Sequence, residues 1–150
     1  MTFITKIVAQ TEQLGEKLGK ALLPGAVVCF SGTLGAGKTA FVRGLARGLG
    51  YPGIVNSPTF TLCNAYDCAD AVLYHFDLYR LSGAQELADI GFYDYLDEKQ
   101  YIAVEWSERA QELMPADAVF VDIRYCREGS PDTREISITG IDFEAEMTVK

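Results

Sequence analysis

The segment Gly32-Thr33-Leu34-Gly35-Ala36-Gly37-Lys38-Thr39 constrains this chain's fold more than any other part of it. It satisfies the spacing G-x-x-x-x-G-K-[ST] in full, between an apolar run, Ala26 to Phe30, and an apolar-striped helix beginning at Lys38. Glycines at these positions let backbone N–H groups converge on phosphate oxygens, and the positive end of the following helix points at the same charge. Lys38 is then placed to reach the β- and γ-phosphates, and the Thr39 hydroxyl to hold a magnesium ion that keeps most of its waters. A plain glycine turn ahead of a helix needs neither that lysine nor that hydroxyl.

A strand–loop–helix of this kind is the opening unit of an α/β fold. Thr11 is the expected cap of a first helix reaching about Leu23, with Leu14, Leu18, Ala21 and Leu22 on one stripe and Pro24-Gly25 ending it. The second helix, Lys38 to about Leu49, carries Phe41, Val42, Leu45, Ala46 and Leu49 on one face and stops at Gly50. After the turn at Asn56-Ser57-Pro58, the runs Phe60 to Tyr66 and Ala71 to Phe76 read as an antiparallel pair of strands. Short helices follow at Ser82 to Leu87 and Phe92 to Asp97, then a strand from Tyr101 to Val104, then helix from Ser107 to Leu113. Val119 to Tyr125 and Glu135 to Thr139 alternate as a terminal hairpin. The expected architecture is one three-layer α/β domain over residues 1–150, a P-loop NTPase-like fold whose mixed sheet has a mainly parallel core.

Composition narrows the function. The chain carries 13 Lys and Arg against 21 Asp and Glu, a net charge of -8, so it lacks the dense cationic surface on which nucleic-acid affinity depends. Arg43 and Arg47 share a helix face, which reads as a solvated face or as a docking patch. Cys29, Cys63, Cys68 and Cys126 lack zinc-ligand spacing and fit reduced, mostly buried thiols, which points to the cytoplasm. No secretory leader is read at Met1 to Gln10, and the apolar stretch Ala21 to Phe30, broken by Pro24 and Gly25, is too short to span a membrane.

A nucleotide site of this type needs an acid near the metal, at the end of a strand close to the P-loop strand. Two acids obey that rule, Asp77 after Ala71 to Phe76 and Glu105 after Tyr101 to Val104, and the pattern does not rank them. One would hold the metal through water, and the other would orient the attacking water; either could instead be a solvated strand-end carboxylate, Asp77 paired with Arg80. His75, the single histidine, fits a hydrogen-bonded structural role or proton transfer, and Trp106 fits packing beside Glu105.

Four stretches in order, Gly32 to Thr39, Ser57-Pro58-Thr59-Phe60-Thr61-Leu62, His75-Phe76-Asp77-Leu78-Tyr79-Arg80-Leu81 and Val104-Glu105-Trp106, make the chain resemble the bacterial TsaE (YjeE) ATPases. The resemblance implies ATP hydrolysis that supports repeated formation of threonylcarbamoyladenosine at position 37 of transfer RNAs reading codons that begin with A. It implies TsaB and TsaD as partners that carry out the transfer, with transfer RNA reached only through that complex. By position it implies ATP held by Gly35, Ala36, Gly37, Lys38, Thr39 and Ala40, with Glu12 approaching the adenosine. It further implies magnesium held by Thr39 and Glu105, and catalysis by Lys38, Asp77 and Glu105, beside a switch-like loop at Ser57 to Thr61. Thr33 and Ala40 depart from the family, which usually has an acid and a threonine there; neither change removes a phosphate-binding group. A small-molecule kinase, lacking its arginine-rich lid here, and a nucleotide-sensing interaction module are the competing readings.

Overall fold

The computed structural model describes residues 1–145. The strands are β1 (Thr2–Thr5), β2 (Val27–Gly32), β3 (Cys63–Asp67), β4 (Val72–Asp77), β5 (Tyr101–Glu105), β6 (Val119–Tyr125) and β7 (Arg134–Thr139). They form one seven-stranded sheet in the order β1-β7-β6-β2-β5-β4-β3. Its centre, β6-β2-β5-β4, is parallel throughout, and the outer pairs β1/β7, β6/β7 and β3/β4 are antiparallel. The helices are α1 (Val8–Ala21), α2 (Lys38–Gly48), α3 (Ala84–Asp89) and α4 (Phe92–Asp97), with a 3-10 helix at Ser107–Leu113 kinked at Ala110.

Alternation along the central strands builds the layers. Val28, Phe30, Tyr101 and Ala103 face a core shared with Leu14, Leu18, Phe41 and Leu45 of α1 and α2. Val27, Cys29, Ile102 and Val104 face the opposite core, with Leu87 of α3, Phe92 of α4 and Ala110. Both faces of a parallel sheet are thereby covered, as its continuous apolar strands require. Burial raises the Cys29 thiol to about 12; Cys63, Cys68 and Cys126 are only half-buried where mostly buried thiols were expected, because Cys63 and Cys68 lie on or just beyond the edge strand β3 and Cys126 lies just past the end of β6.

Helices α1 and α2 pack backbone to backbone. A Cβ on Gly44 would stand 1.8 Å from the Glu12 carbonyl oxygen, and one on Gly15 would stand 2.3 Å from that of Phe41. Across the same seam, Arg43 and Arg47 both hold Glu12, at 2.9 and 3.1 Å. Burial pushes the Glu12 carboxyl up, but the hydrogen bonds and charges of the two arginines outweigh that and hold it below the ordinary carboxylate value. The arginine pair is thus spent largely within the molecule.

Three local expectations are corrected. Thr11 does not cap α1, which starts a turn earlier at Val8; its buried hydroxyl lies 2.8 Å from that of Thr5 and ties the helix to β1. Strand β3 begins at Cys63 rather than Phe60, because the N–H groups of Thr61 and Leu62 are taken by the Pro58 carbonyl and Leu62 adopts a left-handed φ of 69°. The edge strand β1 was not expected, its four residues being too short to show a period.

The α1/α2 contact predicts that Gly44→Ala lowers stability by about 2 kcal/mol or more, since a backbone carbonyl cannot give way as a side-chain tip can. Gly83→Ala, with nothing within 4 Å of the added carbon, stays within about 0.5 kcal/mol of wild type. Urea unfolding of the two variants measures the difference.

Candidate functional site

The ends of β2, β5 and β4 lie level, and the site is built on them. In the parallel register Phe30 pairs with Glu105, and Glu105 with Asp77, so both acids stand side by side at the carboxyl edge where open α/β sheets place ligands. Strand β5 adjoins the P-loop strand directly and β4 lies one strand further out. Geometry therefore ranks the acids where the sequence pattern did not.

Immediately after β2 the chain turns sharply. Gly32 has φ 129°, and a Cβ there would meet the Ile123 carbonyl oxygen at 1.9 Å, so no other residue fits. Gly37, at φ 109°, is the left-handed residue from which α2 starts. The loop bounds a cleft of about 330 Å³ lined by Leu34, Gly35, Ala36, Gly37, Lys38, Thr39 and Ala40, and by Ser57, Thr59, Asp77, Tyr79, Glu105 and Trp106. All the expected site residues meet there except Glu12, which lies in the α1/α2 seam bound to Arg43 and Arg47.

Lys38 is 5% exposed. Its ammonium donates to the carbonyls of Gly32 and Thr33, at 3.0 and 2.9 Å, and lies 4.1 Å from the Trp106 ring centroid. Burial pulls its pKa below the ordinary lysine value, against the opposing charges of Glu108, Glu105, Asp77 and Asp122. Trp106 reaches this position through a left-handed backbone, φ 59°, directly after Glu105.

The Thr39 hydroxyl lies 3.1 Å from both carboxylate oxygens of Glu105. Behind them His75, fully buried, places Nε2 2.5 Å from Glu105 Oε2, while its buried Nδ1 has no partner among the described residues. The histidine thus makes the hydrogen bond that its structural reading expects, with Glu105 as its partner. Asp77 accepts from the Tyr79 N–H at Oδ1 and from the Ser57 and Thr59 hydroxyls at Oδ2. Arg80, the alternative partner that the sequence offers for Asp77, lies instead over the Phe60 ring at 4.4 Å.

Hard oxygen donors, one hydroxyl and one carboxylate beside a second carboxylate, match the preference of magnesium. No group of three metal-ligating His, Cys, Asp or Glu side chains occurs among the described residues.

Residues 5–136 match the family model for threonylcarbamoyl adenosine biosynthesis protein TsaE. The chain belongs to the TsaE family. It is similar to the tRNA threonylcarbamoyladenosine biosynthesis protein TsaE of Haemophilus influenzae, 40% identical over 118 residues, 75% of each chain. The protein of that name from Bacillus subtilis is 37% identical over 138 residues, 92% of this chain and 84% of the relative. The crystal structure of Bacillus subtilis YdiB superposes with a TM-score of 0.77 at 30% identity, covering 92% of this chain and 83% of that one. TsaE membership implies nucleotide binding at the P-loop, and the α/β fold agrees with that of the solved neighbour.

Two residues at the loop were not anticipated. Tyr125 donates its hydroxyl to the Leu34 carbonyl at 3.2 Å, and Arg134 donates Nε to the Ala36 carbonyl at 2.9 Å. They belong to the terminal hairpin, and nothing in their local sequence points to the P-loop.

Lys38 must leave the Trp106 ring to follow a bound phosphate, so adding ADP changes the emission of the chain's single tryptophan. Lys38→Met weakens ADP binding by about one to two orders of magnitude, the worth of a charged hydrogen bond, as read by the same titration.

Proposed function

We propose that this chain is a magnesium-dependent ATPase that sustains repeated formation of threonylcarbamoyladenosine at adenosine 37 of transfer RNAs reading codons that begin with A. It acts in the cytoplasm with TsaB and TsaD, and reaches transfer RNA only through them. The observation that carries the proposal is the convergence of Lys38, Thr39, Asp77 and Glu105 on one P-loop cleft in a TsaE chain.

In this reading the loop N–H groups of Gly35, Gly37, Lys38 and Thr39 and the Lys38 ammonium hold the β- and γ-phosphates, the Ala36 N–H being turned back to the Thr33 carbonyl, and Ala40 closes the cradle from the first turn of α2. Thr39 and Glu105 would hold the magnesium ion, which would supply charge neutralisation for the phosphates. His75 keeps Glu105 turned toward Thr39. Asp77 orients the attacking water, with its carboxylate fixed by Tyr79, Ser57 and Thr59. Positioning and charge are most of what phosphoryl transfer asks of a protein. The tie between Asp77 and the Ser57 and Thr59 hydroxyls also supports a switch-like use of that loop, since the same carboxylate senses the loop and the γ-phosphate. Contact of Glu12 with the adenosine would require it to act from its place beside Arg43 and Arg47.

Reconstitution with the matching TsaB and TsaD tests the proposal. Multiple-turnover product formation rises when the wild-type chain and ATP are added, and Lys38→Ala removes the rise. Asp77→Ala and Glu105→Ala retain ATP binding and lose about 100-fold in hydrolysis, the scale of a lost positioning or charge-stabilising group. Full turnover supported by a non-hydrolysing Asp77→Ala chain would overturn the ATPase role in favour of nucleotide sensing. A phosphorylated metabolite formed from ATP would instead mark a kinase.

A further inference from the structure

The outward side of the P-loop is held by groups that lie outside its motif. Of the loop carbonyls, those of Gly32 and Thr33 accept from Lys38, and that of Gly37 accepts from the Phe41 N–H within α2. The carbonyls of Leu34 and Ala36 accept from Tyr125 and Arg134, which come from the end of β6 and the start of β7. The two side chains act as a unit. The Arg134 guanidinium lies 4.4 Å from the Tyr125 ring centroid, and Tyr125 and Arg134 are partners in the β6/β7 register. Arg134 Nη1 also donates to the carbonyls of Pro131 and Thr133, so the planar fork is fixed by the turn it leaves.

A peptide unit whose C=O is held outward presents its N–H to the other side. Carbonyls drawn toward the hairpin therefore aim the N–H groups of the following residues into the cleft, before any ligand arrives. The hydroxyl of Tyr125 also stands 3.0 Å from where a Cβ on Gly35 would lie, so the clamp reaches the loop tip itself. We propose that Arg134 and Tyr125 are positioning residues for phosphate binding, a two-point clamp by which the terminal hairpin pre-organises the P-loop. The inference rests on the nucleotide reading of the same cleft. It adds to it an element remote in sequence from every motif of that reading.

The clamp acts on polyphosphate and not on the nucleoside, which separates it from a general structural role. AMP and ADP are titrated against wild type, Arg134→Leu and Tyr125→Phe by calorimetry, with the thermal midpoint of each variant measured alongside. Tyr125→Phe keeps the ring that stacks on Arg134 and loses only the hydroxyl, with no change of charge. In wild type the added phosphate tightens binding. Tyr125→Phe is expected to weaken ADP about threefold and Arg134→Leu about tenfold, the worth of one neutral hydrogen bond and of a charged one. AMP is expected to change less than ADP in both variants. Equal losses for AMP and ADP, or unchanged ADP binding in Tyr125→Phe, would overturn the clamp while leaving the nucleotide reading intact. Failure of the wild-type chain to bind either nucleotide would overturn that reading and the clamp with it. Should Arg134→Leu not fold, Tyr125→Phe decides alone.

Discussion

A carboxylate buried at the centre of the sheet's ligand-binding edge sets the terms for everything around it. Glu105 is 3% exposed, and a charge removed from water to that degree costs several kcal/mol unless donors replace its hydration. Those donors are Thr39, from the first turn of α2, and His75, from β4. Each is supplied by a different element, and each element must be in register for its donor to arrive. The histidine is at the right level because β4 runs parallel to β5 with Asp77 opposite Glu105. The threonine is at the right level because α2 begins immediately after a loop that Gly32 presses against β6. The site and the sheet are therefore one cooperative arrangement.

The same constraint explains the close approach of the first two helices. Helix α2 must start at the loop and lie along the sheet, so α1 has to fit around it, and glycines on both sides of the seam allow backbone contact that any side chain would block. Glu12 then closes the seam through Arg43 and Arg47. A carboxylate that the family resemblance associates with adenosine has, in this chain, a packing role visible in the structure.

Legibility in the sequence followed the density of local rules. The P-loop was readable because spacing, flanking strand and following helix all answer to the same phosphate geometry. The parallel core was readable because strands buried on both faces are apolar throughout. Asp77 and Glu105 are readable as strand-end acids; the local pattern leaves them unranked, the family resemblance separates their roles, and the strand order adds that β5, not β4, adjoins the P-loop strand. Thr11 is a residue type that caps helices, but its hydroxyl is taken by the buried Thr5 hydroxyl of β1, a strand too short to show a period. Strand β3 was begun too early because a left-handed Leu62 carries no sequence signal. Tyr125 and Arg134 lie about a hundred residues from the carbonyls they hold, in an alternating hairpin whose pattern speaks only of burial. No local rule could have assigned them.

Charge supplies the final step. The cleft holds two buried carboxylates, Asp77 and Glu105, against one buried ammonium, Lys38. A polyphosphate entering such a place adds negative charge to a site already short of positive charge, and at low effective dielectric that repulsion is not screened away. Backbone N–H groups and the α2 dipole offset part of it, each contributing partial charge rather than a full unit. A divalent cation held by Thr39 and Glu105 would reverse the balance, making Glu105 a ligand rather than a repelling group. That is the physical reason for joining magnesium to the nucleotide in the proposed function.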